Sequence, residues 1–168
     1  FRSTDVPRRL VLRWNGSSWS IVTTPLPTGT TQSIFFNVSC GSATSCAFVG
    51  YGVISGAQTQ VLLRWNASTW SIPTTPTPSG ATVTALLGVS CPPASACTAV
   101  GIAVVAGSAR RMVSRGDLGA WSAVATPVPP GTSTSNFLGS SCTTTTTCTF
   151  VGSNSIASLT YPLVVRTT

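Results

Sequence analysis

The chain has 168 residues and a formal net charge of +7, which comes from nine arginines set against Asp5 and Asp117. It contains no His, Glu or Lys, so the usual groups for general acid–base catalysis and for histidine-containing metal sites are missing. The apolar run 101–107 is about the longest, and it falls well short of the about 18 residues that a membrane-spanning helix needs. We therefore expect no enzyme, cofactor, metal site or membrane insertion. Short apolar runs among many Ser and Thr predict an all-β fold.

The first elements along the chain form a predicted hairpin. Residues 1–9 are interpreted as the end of a preceding unit or as a leader. An apolar strand at 10–14 is followed by a turn at Asn15–Gly16, where glycine supplies the positive φ of a tight turn, and by a strand at 19–24. The segment 24–32 carries two prolines two residues apart, which predicts an extended surface crossover, since such a pair does not fit a central strand.

A second hairpin is predicted from two strands, 34–40 and 46–50, that flank a five-residue loop. Cys40 and Cys46 bracket this loop, as Cys91 with Cys97 and Cys142 with Cys148 bracket its later copies. Even C-x5-C pairs without histidines predict one disulfide per unit, and hence an oxidising compartment, rather than zinc sites. For so short a loop each bridge is worth about 2 kcal/mol. Residues 51–60 then return to the next strand, 61–65.

The whole pattern repeats every 51 residues without insertion or deletion. The aligned positions are Arg13/Arg64/Arg115/Arg166, Trp19/Trp70/Trp121, Pro25/Pro76/Pro127, the six cysteines, and Gly50/Gly101/Gly152. The predicted units are repeat 1 (10–60), repeat 2 (61–111) and repeat 3 (112–162), with 163–168 as the first strand of a fourth unit or a strand for exchange. Four antiparallel strands per period are typical of a β-propeller blade, which cannot bury its apolar face alone. The strand of the first cysteine is predicted innermost, and the Trp-Ser-Ile strand outermost.

The residues LxRWNGSSWSxxxTPxPxG and GVSCxxAxxCxAVG together resemble a repeat of secreted actinobacterial proteins. The resemblance covers about residues 10–166. It implies a secreted, β-propeller-like repeat protein, and it implies no activity. The third unit departs from the pattern, because SRGDLGAW at 114–121 lacks the first Trp and the Asn-Gly turn.

The Arg-Trp hairpins are candidate glycan-binding elements, because aromatic rings and a planar guanidinium suit sugar rings and carboxylates. The candidate residues are Arg13, Trp14, Trp19, Arg64, Trp65 and Trp70. The competing interpretation is packing, with Trp19, Trp70 and Trp121 wedged between blades and each arginine head bound to a carbonyl. Asn15 and Asn66 lie in N-glycosylation acceptor patterns at predicted turns, where asparagine also serves turn geometry.

The functional hypothesis that follows is a secreted, non-catalytic scaffold, structural or adhesive. Strands at the two ends of the pattern occupy the same place in the unit, so copies of the chain are expected to complete each other's blades, in a ring or a filament. Further repeats of a longer chain are the alternative partners. Two other hypotheses are a lectin that binds cell-surface glycans and an accessory repeat domain of a larger extracellular enzyme. The arginines are dispersed, which argues against nucleic acid as a partner.

Overall fold

The computed structural model of the protein describes residues 10–93, 96–117 and 119–168. Within these ranges the chain forms thirteen β-strands and no helix, which confirms the predicted all-β fold. The strands are β1 (Leu12–Trp14), β2 (Trp19–Ile21), β3 (Thr30–Ser42), β4 (Ser45–Ile54), β5 (Ala57–Asn66), β6 (Thr69–Ser71), β7 (Ala81–Ser90), β8 (Cys97–Val105), β9 (Ser108–Gly116), β10 (Trp121–Ala123), β11 (Thr132–Cys142), β12 (Cys148–Ile156) and β13 (Leu159–Arg166).

The strands pair antiparallel into four separate sheets, which we number I to IV. Sheet I is β1–β2, sheet II is β3–β6, sheet III is β7–β10 and sheet IV is β11–β13. Within each sheet the strands lie side by side in chain order, as the sequence predicts for one unit. The described residues do not close these sheets into a ring.

The sheets are offset from the predicted repeats. The boundary between repeats 1 and 2, at 60/61, falls inside β5, so sheet II ends with the second half of β5 and with β6 from the second sequence period. Residues 163–166, expected as the start of a fourth unit or as a strand for exchange, lie in β13 and pair with β12. Residues 1–9, with the interpretation placed on them, lie outside the described residues.

Each sheet is joined to the next by a proline crossover that ends in the same turn. The three crossovers are 22–29, 72–80 and 124–131. In each of them the first residue of the following strand donates its backbone N–H to a proline carbonyl three residues earlier, at 3.1–3.3 Å. A glycine at positive φ precedes that donor (Gly29, Gly80 and Gly131). The predicted surface crossover is thus a repeated, hydrogen-bonded connection.

In sheets II, III and IV the second and third strands are joined by a two-residue turn, which makes a hairpin that the sequence pattern does not predict. In the turn between β4 and β5 both central residues, Ser55 and Gly56, have positive φ, at 50° and 83°. Such a turn matches the right-handed twist of the paired strands. Ala106–Gly107 and Ala157–Ser158 repeat it. The signal was weak because the first position is not the usual Asn or Asp.

A glycine recurs at positions 50, 101 and 152 because the backbone of the neighbouring strand comes too close for a side chain. Each sits in the second strand beside a register shift in the first strand, between Phe35 and Asn37 in sheet II. A Cβ at Gly50 would collide with the Ile34 carbonyl oxygen, and the equivalent atoms at Gly101 and Gly152 would collide in the same way. The bulge is therefore built into the first-to-second strand pairing of sheets II, III and IV.

Sheets II, III and IV stack face to face, and the core lies between them. Val49 and Leu62 of sheet II are buried in one cluster with Leu86 and Trp121 of sheet III. A second cluster joins sheets III and IV; it contains Val100, Val113, Phe137, Cys148, Phe150 and Leu163. Each sheet thus depends on a neighbour to cover its apolar face.

Serine side chains cross these two interfaces at equivalent positions. Ser39 Oγ of sheet II accepts the backbone N–H of Cys91 at 2.9 Å. Ser90 Oγ of sheet III accepts that of Cys142, also at 2.9 Å. The relation between consecutive sheets is therefore the same twice over.

The three predicted disulfides are present: Cys40–Cys46, Cys91–Cys97 and Cys142–Cys148. Each closes the turn between the first and second strand of a sheet. Intrachain bridges of this kind are consistent with an oxidising environment.

Candidate functional site

A cavity of about 340 Å³ lies between the β1–β2 hairpin and sheet II. The hairpin contributes one wall, and β3, β4, β5 and β6 of sheet II contribute the other. The lining residues are Val11, Leu12, Arg13, Trp14, Val22, Val38, Cys40, Ala43, Cys46, Phe48, Trp65 and Trp70. Four of the six candidate glycan-binding residues thus meet in one place, and we call this cavity the tryptophan pocket.

The aromatic wall of the tryptophan pocket is a row of tilted rings. Trp65 and Trp70 face each other across β5 and β6, with centroids 5.0 Å apart. The Phe48 ring follows at 5.3 Å from Trp70. Trp14 on the opposite wall is 49% exposed, so one side of the pocket is open to solvent. Rings at these spacings offer flat apolar surface to a ligand.

Arg13 is the one charged side chain of the pocket. Its guanidinium carbon lies 5.8 Å from the centre of the Trp65 ring, within the range of a cation–π contact. The side chain is exposed, and the described ranges contain no ion pair for it. Arg13 therefore presents its positive charge to the pocket and to solvent.

The equivalent arginine at the next interface has a different environment. Arg64 is only 1% exposed, and it reaches from sheet II to the disulfide of sheet III, with Nη1 2.6 Å from Cys97 Sγ. Nη2 donates to Ser45 Oγ at 3.2 Å and lies 3.5 Å from a carboxylate oxygen of Asp117. Burial lowers the pKa of the Arg64 guanidinium, and the nearby Asp117 carboxylate opposes this shift. The Arg64 guanidinium is buried and therefore inaccessible to a glycan in solution.

Two substitutions between the repeats account for this difference. Gly116 stands where Trp65 stands one period earlier, and Trp121 packs against it, since a Cβ on Gly116 would lie 2.5 Å from the Trp121 ring. Asp117 stands where the earlier period has Asn66, so only the later arginine has a carboxylate opposite it. The later interface is closed and neutralised, whereas the tryptophan pocket is open and positively charged.

The remaining candidates lie outside the tryptophan pocket. Trp19 is exposed and packs beside Trp14 at 5.4 Å, while Trp121 is buried between sheets II and III. Asn15 is exposed, and its side-chain carbonyl accepts the backbone N–H groups of Ser17 and Ser18, as the turn-geometry interpretation expects. Asn66 is also exposed, at the corresponding turn.

Sequence reasoning missed the part of the site that sheet II supplies. Phe48, Val38 and the Cys40–Cys46 bridge line the pocket, yet they were assigned only to strands or to the staple. Comparison of the repeats gives a signal for one of them, because Phe48 is replaced by the smaller Ala99 one period later. Val38 keeps its residue type in Val89, which is buried at the later interface.

Comparison of the chain with models of protein families, with curated proteins and with solved structures finds no match. Within the described ranges, no cluster of His, Cys, Asp or Glu is arranged to hold a metal ion. No helix in the same ranges has the length and apolarity needed to cross a membrane.

Proposed function

We propose that the protein is a secreted, non-catalytic scaffold whose propeller-like sheets associate with sheets of a second copy. The observation that carries this proposal is one exposed face. Val49 and Val100, at equivalent positions of sheets II and III, are both 0% exposed under the next sheet. Val151, the same position of sheet IV, is 48% exposed. The equivalent face is covered by a neighbouring sheet in sheets II and III, so we expect the exposed face of sheet IV to bind a further sheet of the same kind.

The surface that would cover Val151 is defined by the two internal interfaces. There the covering residues are Leu86 in sheet III and Phe137 in sheet IV. Their equivalent in sheet II is Phe35, which is only half-buried beside Phe48. Association of sheet IV of one copy with the Phe35 face of another therefore extends the existing stack.

In this association, strands of two copies combine into one four-stranded sheet. Strand β1 and strand β13 occupy the same repeat position, marked by Arg13 and Arg166. Strands β11 and β12 of one copy, followed by β1 and β2 of the next, make a four-stranded sheet like sheets II and III. Strand β13 is displaced by β1 of the second copy when this sheet forms. Strand β1 stays paired with β2 and keeps its place in the wall of the tryptophan pocket.

Sedimentation velocity at increasing protein concentration tests the proposal. We expect concentration-dependent species larger than the monomer, and we expect Val151→Asp to suppress them, because a carboxylate cannot enter the covered apolar face. Val128→Asp is the matched control, since Val128 is also exposed, at 60%, but lies in a crossover. A wild-type chain that stays monomeric throughout contradicts the proposal.

Binding of a small ligand, expected from the sequence to be a glycan, is the second candidate function. It is favoured by one observation, the convergence of Arg13, Trp14, Trp65 and Trp70 on a single open cavity. Frontal affinity measurements with immobilised neutral and acidic oligosaccharides test it, and retention that Trp65→Gly abolishes is the expected result. Equal retention of both proteins contradicts it.

A further inference from the structure

The tryptophan pocket is lined by side chains that donate hydrogen bonds but do not accept them. Its polar side-chain groups are the Arg13 guanidinium and the indole N–H groups of Trp14, Trp65 and Trp70. Guanidinium and indole are donors only. The other lining side chains are apolar or belong to the Cys40–Cys46 bridge. A ligand matched to these side chains accepts hydrogen bonds from them and is apolar elsewhere.

This donor-only lining disfavours a neutral sugar. Each sugar hydroxyl both donates and accepts, so its proton would find no side-chain acceptor within the pocket. A hydroxyl group that these side chains shield from solvent therefore carries a free-energy cost. A carboxylate, in contrast, only accepts, and it forms paired hydrogen bonds with a guanidinium.

The later interface shows how the same arginine position is neutralised. Arg64 is met by the carboxylate of Asp117, whereas the corresponding partner position for Arg13 carries the neutral Asn66. In the described part of the chain Asp117 is the one carboxylate side chain, and it already faces Arg64. A bound carboxylate would give Arg13 the charge partner that Asp117 gives Arg64.

We propose that the tryptophan pocket binds an aromatic carboxylate, with the carboxylate on Arg13 and the ring against Trp65, Trp70 and Phe48. The ligand ring packs on the row formed by Trp65, Trp70 and Phe48, whose neighbouring ring centroids are 5.0 and 5.3 Å apart. This function goes beyond the scaffold and does not depend on association of copies.

Titration of the full chain with phenylacetate, followed by the indole N–H signals in a proton–nitrogen NMR spectrum, tests the proposal. The signals of Trp14, Trp65 and Trp70 are expected to shift. The Trp121 signal is expected to stay in place, because its N–H donates to the Asp117 carbonyl at 2.9 Å outside the pocket. Benzyl alcohol, the neutral analogue, is expected to bind about tenfold more weakly, as befits loss of a charged hydrogen bond.

Two variants separate the charge from the aromatic wall. Arg13→Gln is expected to abolish the preference for phenylacetate over benzyl alcohol, while Trp65→Gly, which copies Gly116, is expected to lose both ligands. Arg115→Gln is the control, because Arg115 holds the same repeat position but lies outside the pocket. The NMR spectrum of each variant also reports whether it is folded.

Three outcomes overturn the proposal. The first is equal affinity for phenylacetate and benzyl alcohol. The second is tighter binding of glucuronate than of phenylacetate, which supports the glycan hypothesis instead. The third is the absence of shifts at millimolar ligand. Each of these can occur whether or not the chain associates, so failure here is distinguishable from failure of the scaffold proposal.

Discussion

Residues that recur at fixed repeat positions have different structural roles in this chain. Gly101 is required by geometry, because a side chain there would run into the backbone of the neighbouring bulged strand at Ala85. Arg64, by contrast, holds a position whose equivalents, Arg13 and Arg166, are exposed. Repetition in the sequence therefore marks a strict steric need at the glycine and only a shared place in the fold at the arginine.

Replacing Gly101 with alanine is expected to destabilise the protein by about 2–4 kcal/mol, since strands β7 and β8 must separate to admit the methyl group. Gly119→Ala is the control, because no atom lies within 4 Å of a Cβ built there. Urea unfolding followed by tryptophan fluorescence measures both. A Gly101→Ala protein as stable as the wild type would show that the bulge can relax.

Replacing Arg64 with methionine is expected to change the free energy of unfolding by less than about 1 kcal/mol. The reason is that removal of a buried charge offsets the loss of its contacts with Cys97 and Asp117. The Arg64 Nε has no hydrogen-bond partner in the described structure, so that part of the side chain is already unsatisfied.

Truncation at the same position separates volume from charge. Arg64→Ala is expected to cost about 2–4 kcal/mol, because it leaves a cavity beneath the second disulfide. Equal destabilisation by methionine and alanine in urea would contradict this account and would assign the stability to the charge.

At the level of elements, the crossing serines show how one sheet fixes the position of the next. Ser90→Ala is expected to destabilise the protein by about 1 kcal/mol, since the Cys142 N–H loses its acceptor across the interface. Ser141, one period later, is exposed and provides the matched control, with no effect expected for Ser141→Ala. Hydrogen exchange at the Cys142 amide should quicken only in the first variant.

The strands were predictable to the extent that turns and cysteines mark their ends. The Asn-Gly turn, the proline crossover and the C-x5-C loop located four strands per period. The hairpin between β4 and β5 was not recognised, because its turn places Ser55 rather than Asn or Asp in the left-handed region. Local chemistry at the turn, and not the hydrophobic pattern, limited the prediction.

The residues of the candidate site were predictable from the sequence, but their assembly into a single pocket was not. Arg13, Trp14, Trp65 and Trp70 were identified from their recurrence, yet they come from two consecutive periods and meet only because sheet I faces sheet II. Equivalence by sequence suggested two similar sites, at Arg13 and at Arg64. Packing made one pocket open and the other interface closed, because Trp65 and Gly116 differ in volume.

For the whole molecule, the stacking of sheets is the feature on which stability and the proposed association both rest. The described structure contains two interfaces of one design, between sheets II and III and between sheets III and IV. In the proposed association, the exposed Val151 face of sheet IV and the Phe35 face of sheet II are the two sides of a third interface of this design. No contact within the described chain joins these two sides.

Photo-cross-linking from position 151 is the most direct test of this third interface. A benzophenone side chain at residue 151, in an equal mixture of light and isotopically heavy protein, is irradiated and the products are mapped by mass spectrometry. We expect cross-links between light and heavy chains that land on residues 35–38 or on Phe48. Cross-links confined to a single chain, or scattered over residues outside the Phe35 face, would contradict it.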